Sequence, residues 1–166
     1  MGGPGAELAK TAWLGPVVGL PARWDAGRAM SQQDVETVRR SFDAWNEGDI
    51  ETIRRLYAED AVIESGIVEL GGRMEGDDPI GHWVAEMQET WTEAHWELER
   101  VVEGDGVVLS FYRAVGIGRY SGIEVVRDLA AVYRIRNGLI ASERVFLDRD
   151  EAVEAAGLGE SAGTPD

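Results

Sequence analysis

Four segments in the second half of the chain, His95 to Glu103, Val107 to Arg119, Ile123 to Arg136 and Leu139 to Asp148, are rich in Val, Ile, Tyr and Phe. They are separated by Gly104-Asp105-Gly106, Ser121-Gly122 and Asn137-Gly138, residue types that accept the positive φ of tight hairpin turns. Strands joined this closely run antiparallel, because a parallel connection needs a crossover of a dozen or more residues. Such a meander has a face to bury, and the residues before it must supply the cover.

The preceding residues read as helices. From Ser31 to Asn46 the apolar residues Val35, Val38, Phe42 and Trp45 recur at spacings of three and four, and Gly48 ends the stretch. Asp49 is placed to cap a second helix, DIETIRRLYAED, with Ile50, Ile53, Leu56 and Tyr57 on its buried side. Ala61 to Ser65 is a short apolar strand, and Gly66, Gly71, Gly72 and Gly76 mark an irregular segment after it. Asp77 or Asp78 caps a third helix, with Pro79 in its first turn and Ile80, Trp83, Val84, Met87 and Trp91 as its apolar face. A closing DRDEAVEAAGL makes one or two further turns. The order predicts an α+β domain, a curved antiparallel sheet covered on one face by about three N-terminal helices.

At 166 residues the chain holds one such domain. Residues 1–29 contain three of the five prolines and no clear period, and are expected to be a disordered N-terminal extension ahead of a domain at residues 30–158. Met30 offers an alternative start of translation; the other reading is an arm that docks Trp13 and Trp24 on a groove. Residues 159–166 read as a disordered tail. Leu14 to Leu20 is too short and too broken by Gly and Pro for a secretory signal, and no stretch reaches the ~18 apolar residues of a membrane span. The expectation is a cytoplasmic protein.

Charge and composition exclude several chemistries. A net charge of −15 opposes any phosphate-tracking surface, so nucleic acid is not an expected partner. Zero cysteines remove disulfides, thiolate metal sites and a Cys nucleophile. The only lysine is Lys10, which leaves the domain without an amine for Schiff-base catalysis. Two histidines, His82 and His95, are too few for a metal site without recruited carboxylates, and no nucleotide or cofactor motif is present, since Gly116-Ile117-Gly118 lies within a strand.

The segments FDAWNEGD, IETIRRLYAEDAVIE, EGDDPIGHW, VYRIRNGLIASERVFLD and DRDEAVEAAGL, in this order and spacing, resemble the SnoaL-like branch of the nuclear transport factor 2-like superfamily. The resemblance covers Met30 to Leu158. It implies a cone-shaped fold in which helices pack on the concave face of the sheet and enclose a pocket, a homodimer through the sheet, and a small-molecule ligand. It does not imply one activity, because the superfamily hosts isomerases, polyketide cyclases, epoxide hydrolases and non-catalytic binders. The tyrosine and two acids of ketosteroid-isomerase-like members fall at Ser41, Ser65 and near Ala131, and the Asp-Arg-Asp relay of the epoxide hydrolases falls at Ala114, Tyr112 and Val145. Neither set of polar groups is present.

Strand alternation supplies other candidates. If Ala131 faces the interior, so do Ile123, Val125, Arg127, Leu129 and Tyr133. An Arg among apolar neighbours is expected to pair with Glu143, Glu86 or Glu64, to orient an anionic or carbonyl ligand, or to reach solvent at the rim. Trp83, Met87, Tyr112 and Tyr133 either pack the core or line a cavity. Ligand contacts are therefore sought among Ser65, Trp83, Met87, Tyr112, Arg127, Tyr133 and Glu143, with Glu143 or Glu64 as the proton carrier should there be turnover. The expected function is binding of a small apolar or carbonyl-containing molecule; the alternative is a cofactor-independent cyclase, isomerase or hydratase working by carboxylate acid-base catalysis. Leu109, Phe111, Val115 and Ile117 form an apolar second face that needs a cover, which fits a dimer.

Overall fold

A helix carrying Val35, Val38, Phe42 and Trp45 presents one apolar edge. The computed structural model, which describes residues 22–66 and 72–158, has them on α1 (Ala22–Glu47), with Val35, Val38 and Phe42 buried and Trp45 packed beside them. The helix begins at Ala22 rather than Ser31. Residues Ala22 to Met30 are free of proline and include three Ala and two Arg, which permits the helix to run through them. The expected extension lies outside the described residues up to residue 21, and the expected tail at 159–166 lies wholly outside them.

Gly48 takes φ 69° after α1, and Asp49 then caps α2 (Ile50–Leu56) by accepting a hydrogen bond from the Thr52 amide at 3.1 Å. This helix stops at Leu56, four residues before the expected Asp60. Tyr57 is extended, with φ −107° and ψ 146°, and opens β1 (Tyr57–Ser65). Its backbone pairs with Ile140, a contact distant in sequence that overrides the local helical spacing. After the two-residue β2 (Arg73–Met74), Asp78 caps α3 (Pro79–Thr90) by accepting from the Gly81 amide. Trp91, expected on the face of α3, instead begins β3 (Trp91–Glu103).

The meander follows as β4 (Val108–Gly118), β5 (Glu124–Arg136) and β6 (Leu139–Phe146), and α4 (Arg149–Ala155) closes the described chain. Asn137 at φ 55° and Gly138 at φ 79° form the turn between β5 and β6, the backbone that an Asn-Gly pair adopts most cheaply. One six-stranded sheet has the order β2-β1-β6-β5-β4-β3. It is mixed, not purely antiparallel: β1 lies parallel to β6, because the strand between the helices inserts beside the last strand of the meander. The fold class is the expected α+β arrangement, with α1, α2 and α3 against one face.

Each face has its own core. Leu129, Ala131, Tyr133, Ile140 and Ile63 point toward the helices, in agreement with the alternation read for β5. Leu109, Phe111, Ala130, Val132 and Phe146 point the other way. There α4 covers them through Ala152, Val153 and Ala156, so Leu109 and Phe111 are buried within the chain itself. Two guanidinium groups also stand over the Phe111 ring, Arg100 at 4.6 Å and Arg149 at 5.5 Å from its centroid.

One irregularity decides what faces inward on β6. Arg134 pairs with Ser142 and Ile135 with Ile140, leaving Ala141 as an extra residue. In a regular strand Ile140 and Glu143 would point to opposite faces. The bulge turns both toward the helices, and an acidic side chain enters an otherwise apolar interior.

Candidate functional site

The interior holds a narrow cavity lined by Ser41, Phe42 and Trp45 of α1, Tyr57 of β1, Trp83 of α3, Trp96 of β3, Tyr112 of β4, Tyr133 of β5 and Glu143 of β6. Its volume is about 20 Å³, room for about one water. Aromatic rings make most of its wall: Trp45 lies 6.4 Å from Trp83 and 6.0 Å from Trp96, and Phe42 meets Tyr112 edge-on at 5.0 Å. A second, wider chamber of about 290 Å³ is lined by Met87, Trp91, Ala94, Trp96, Ala114, Val125, Arg127 and Leu129. Trp96 belongs to both walls, where the two spaces adjoin.

Asn46 holds the Trp96 backbone in place. At the end of α1 its side-chain amide donates to the Trp96 carbonyl and its oxygen accepts from the Trp96 amide, both at 2.8 Å. The helix thereby satisfies two backbone groups on the edge strand β3.

The acid at the narrow end is Glu143, with a relative exposure of 9%. Tyr57 Oη donates to its Oε1 at 2.5 Å, and Tyr57 in turn accepts from Trp45 Nε1 at 3.3 Å. No cation pairs with it among the described residues. Burial pushes its carboxyl up to about 7, with the Tyr57 hydrogen bond opposing the rise. Burial and the neighbouring Glu143 charge both raise the phenols of Tyr57, Tyr112 and Tyr133 well above their ordinary value, so all three remain hydrogen-bond donors at neutral pH. Tyr133 is engaged with Ser110 at 3.1 Å, whereas the Tyr112 hydroxyl makes no hydrogen bond among the described residues.

This arrangement can exchange a proton. A carboxyl poised near neutral pH is equally able to accept and to return one, and a free phenol close by can donate to an oxygen on which negative charge develops. Among the described residues no group of three or more His, Cys, Asp or Glu side chains is assembled to hold a metal ion.

The residues singled out from sequence divide into three groups. Trp83, Tyr112, Tyr133 and Glu143 meet at the narrow cavity. Met87 and Arg127 line the wider chamber, where Arg127 is exposed and, among the described residues, donates only to the Val126 carbonyl; it pairs with none of Glu143, Glu86 and Glu64. Glu64 and Ser65 are elsewhere. Glu64 is 42% exposed and bridged to Arg73 and Arg144, because it alternates away from the buried Ile63. Ser65 is buried at the end of β1, beside Val145, and lines neither space. Ser41 lines the narrow cavity, but its hydroxyl is spent on the Val38 carbonyl of its own helix. Tyr57 and Trp45 were legible only as apolar members of helical stripes, and no local signal marks Tyr57 as the donor to an acid 86 residues away or Trp45 as the donor to Tyr57.

The chain matches the SnoaL-like domain family over residues 38–143. No curated protein matches it. Among solved structures it is similar to an NTF2-like protein of unknown function from Burkholderia pseudomallei, at 17% identity and a TM-score of 0.63 over 75% of this chain and 97% of that one. TerC, co-crystallised with polyporic acid, superposes at 18% identity and a TM-score of 0.62 over 74% and 98%. A provisionally assigned polyketide cyclase from Streptomyces antibioticus does so at 21% identity and a TM-score of 0.58 over 74% and 96%. These likenesses establish the fold.

Proposed function

The chain belongs to the SnoaL-like domain family, and we propose that it binds a small carbonyl-containing molecule and moves a proton at the carbon beside the carbonyl, without a cofactor. The observation that carries this reading is a buried carboxyl, Glu143, that faces a cavity and has no cationic partner among the described residues. A charge kept there at a desolvation cost, with its carboxyl raised to about 7, is suited to proton transfer and poorly suited to holding the fold together. Glu143 takes the proton from carbon, the electron pair moves onto the carbonyl oxygen, and the Tyr112 hydroxyl donates a hydrogen bond to the enolate that forms. Return of the proton to the same or another carbon gives exchange or isomerisation; attack of the enolate on a second carbonyl gives ring closure. Trp83 and Tyr133 wall the reacting end, and Met87 contacts the body of the molecule in the wider chamber.

The small volume of the narrow cavity favours a second reading, in which the ligand stays in the wider chamber and is bound without turnover. Both readings are separated by following solvent deuterium into the α-carbon of 2-tetralone by NMR. Exchange accelerated by the wild-type protein and lost in Glu143→Gln supports proton transfer. Binding of the ketone with equal exchange in both proteins leaves a binding protein.

We further propose a homodimer through the outer face of β4 and β5. Val115 and Val126 pair across that face, and Val126 is 45% exposed. The patch is smaller than sequence suggested, since α4 already covers Leu109 and Phe111. A monomer at micromolar concentration in sedimentation equilibrium refutes it. Among the described residues no helix is long and apolar enough to cross a membrane.

A further inference from the structure

Among the described residues, the wider chamber has a single charged residue in its wall. Met87, Trp91, Ala94, Trp96, Val125 and Leu129 present apolar or aromatic surface, and Arg127 stands among them. The neighbouring acid on β5, Asp128, points to the opposite face and is bridged to Arg113 across the strands at 3.0 Å. Arg127 has no acidic partner among the described residues, although the chain carries 31 acidic residues against 16 basic ones. Acids are abundant on this protein, yet none is supplied here.

Position gives the cation its meaning. Arg127 and Tyr133 share one face of β5, six residues and roughly 20 Å of strand apart, and Tyr133 pairs with Glu143. The wider chamber lies toward Arg127 and the narrow cavity toward Glu143, with Trp96 in the wall of both.

From this geometry we infer that the ligand is an elongated apolar molecule carrying one anionic group, a carboxylate or an ionised enol or phenol. Arg127 holds the anion, and the apolar body lies along Trp91, Trp96 and Met87 with its other end directed at Glu143. The inference rests on the reading of the two spaces as one ligand site. A net charge of −15 repels anions at long range, so any preference for an anion at this chamber must be local. A guanidinium provides it through charge-assisted hydrogen bonds to a planar anion.

A matched pair of fluorescent probes tests this: anilinonaphthalene sulfonate, and the neutral N-phenylnaphthylamine that shares its ring system. In wild type the sulfonate is expected to bind more tightly than the neutral probe despite the charge of the protein. Arg127→Gln weakens the sulfonate about tenfold, equivalent to ~1.4 kcal/mol, and leaves the neutral probe unchanged. Arg127→Lys recovers part of the loss, and Ala114→Phe, which fills the chamber, abolishes both. Equal sulfonate affinity in wild type and Arg127→Gln overturns the inference, as does undiminished binding in Ala114→Phe. Failure of both probes to bind wild type removes the ligand site itself. The ketone exchange governed by Glu143 is read independently, so loss of the anion preference leaves the proton-transfer reading standing.

Discussion

Replacing Glu143 with Gln is expected to stabilise the protein at neutral and alkaline pH while leaving it unchanged or weaker in acid. Glu143 is buried, and its carboxyl is raised from 4.5 to about 7. The folded protein therefore binds its proton more tightly than the unfolded chain does. Below about pH 4.5 the group is protonated in both states and its contribution is intact. As pH rises toward 7 the unfolded chain releases the proton first, so unfolding is favoured progressively; above 7 the full cost of a buried charge is present. At ~1.4 kcal/mol per unit of pKa the loss amounts to about 3 kcal/mol. Gln keeps an oxygen for Tyr57 Oη and has no charge to desolvate, so its stability lacks this component. Urea denaturation of both proteins from pH 4 to 9 supplies the test, with the difference between them as the quantity of interest, since every other titrating group cancels. A difference that shifts by about 3 kcal/mol toward the variant between pH 4.5 and 8 is expected. Parallel curves would refute the argument that Glu143 is desolvated and unpaired.

Tyr57→Phe removes the hydrogen bond that opposes the rise of the Glu143 carboxyl, so that carboxyl, followed by carbon-13 NMR, is expected to titrate higher in the variant than in wild type; the same midpoint in both proteins would show that the contact does not hold the anion. Asn46→Ala leaves the amide and carbonyl of Trp96 without their side-chain partner, at an expected cost of about 1–2 kcal/mol in urea denaturation and with faster amide exchange at Trp96. Unaltered exchange there would mean that the end of α1 does not hold the Trp96 backbone. Asp148 caps α4 by accepting from the Asp150 and Glu151 amides, so Asp148→Ala is expected to cost about 1 kcal/mol and to loosen the cover over Leu109 and Phe111, which limited proteolysis near the C-terminus would report. Wild-type resistance to cleavage would argue that the outer core holds α4 without its cap.

Much of the architecture follows from local chemistry and was legible in the chain. The stripe of Val35, Val38 and Phe42, the cap at Asp49, a cap at Asp77 or Asp78 that proves to be Asp78, the Asn137-Gly138 turn and the inward set Leu129, Ala131 and Tyr133 each depend on residues close in sequence, and each is present. Glu143 was also visible as a candidate, but as a partner for Arg127 on the neighbouring strand, a pairing that the structure does not make. What local pattern could not supply was orientation and partnership. Glu64 and Glu143 are both acids on strands that pair with each other, yet simple alternation turns Glu64 to the outer face and into ion pairs. Glu143 faces inward with Ile140 only because β6 carries an extra residue at Ala141. Tyr57 became a strand residue and the donor to Glu143 only once β1 had inserted beside β6. Sequence alone determined which residues are apolar, where turns and caps lie and which chemistries are excluded, since those depend on composition and near neighbours. The tertiary structure decided which acid is desolvated and what meets it, because bulges and pairings between distant strands are set by the packing of the whole sheet.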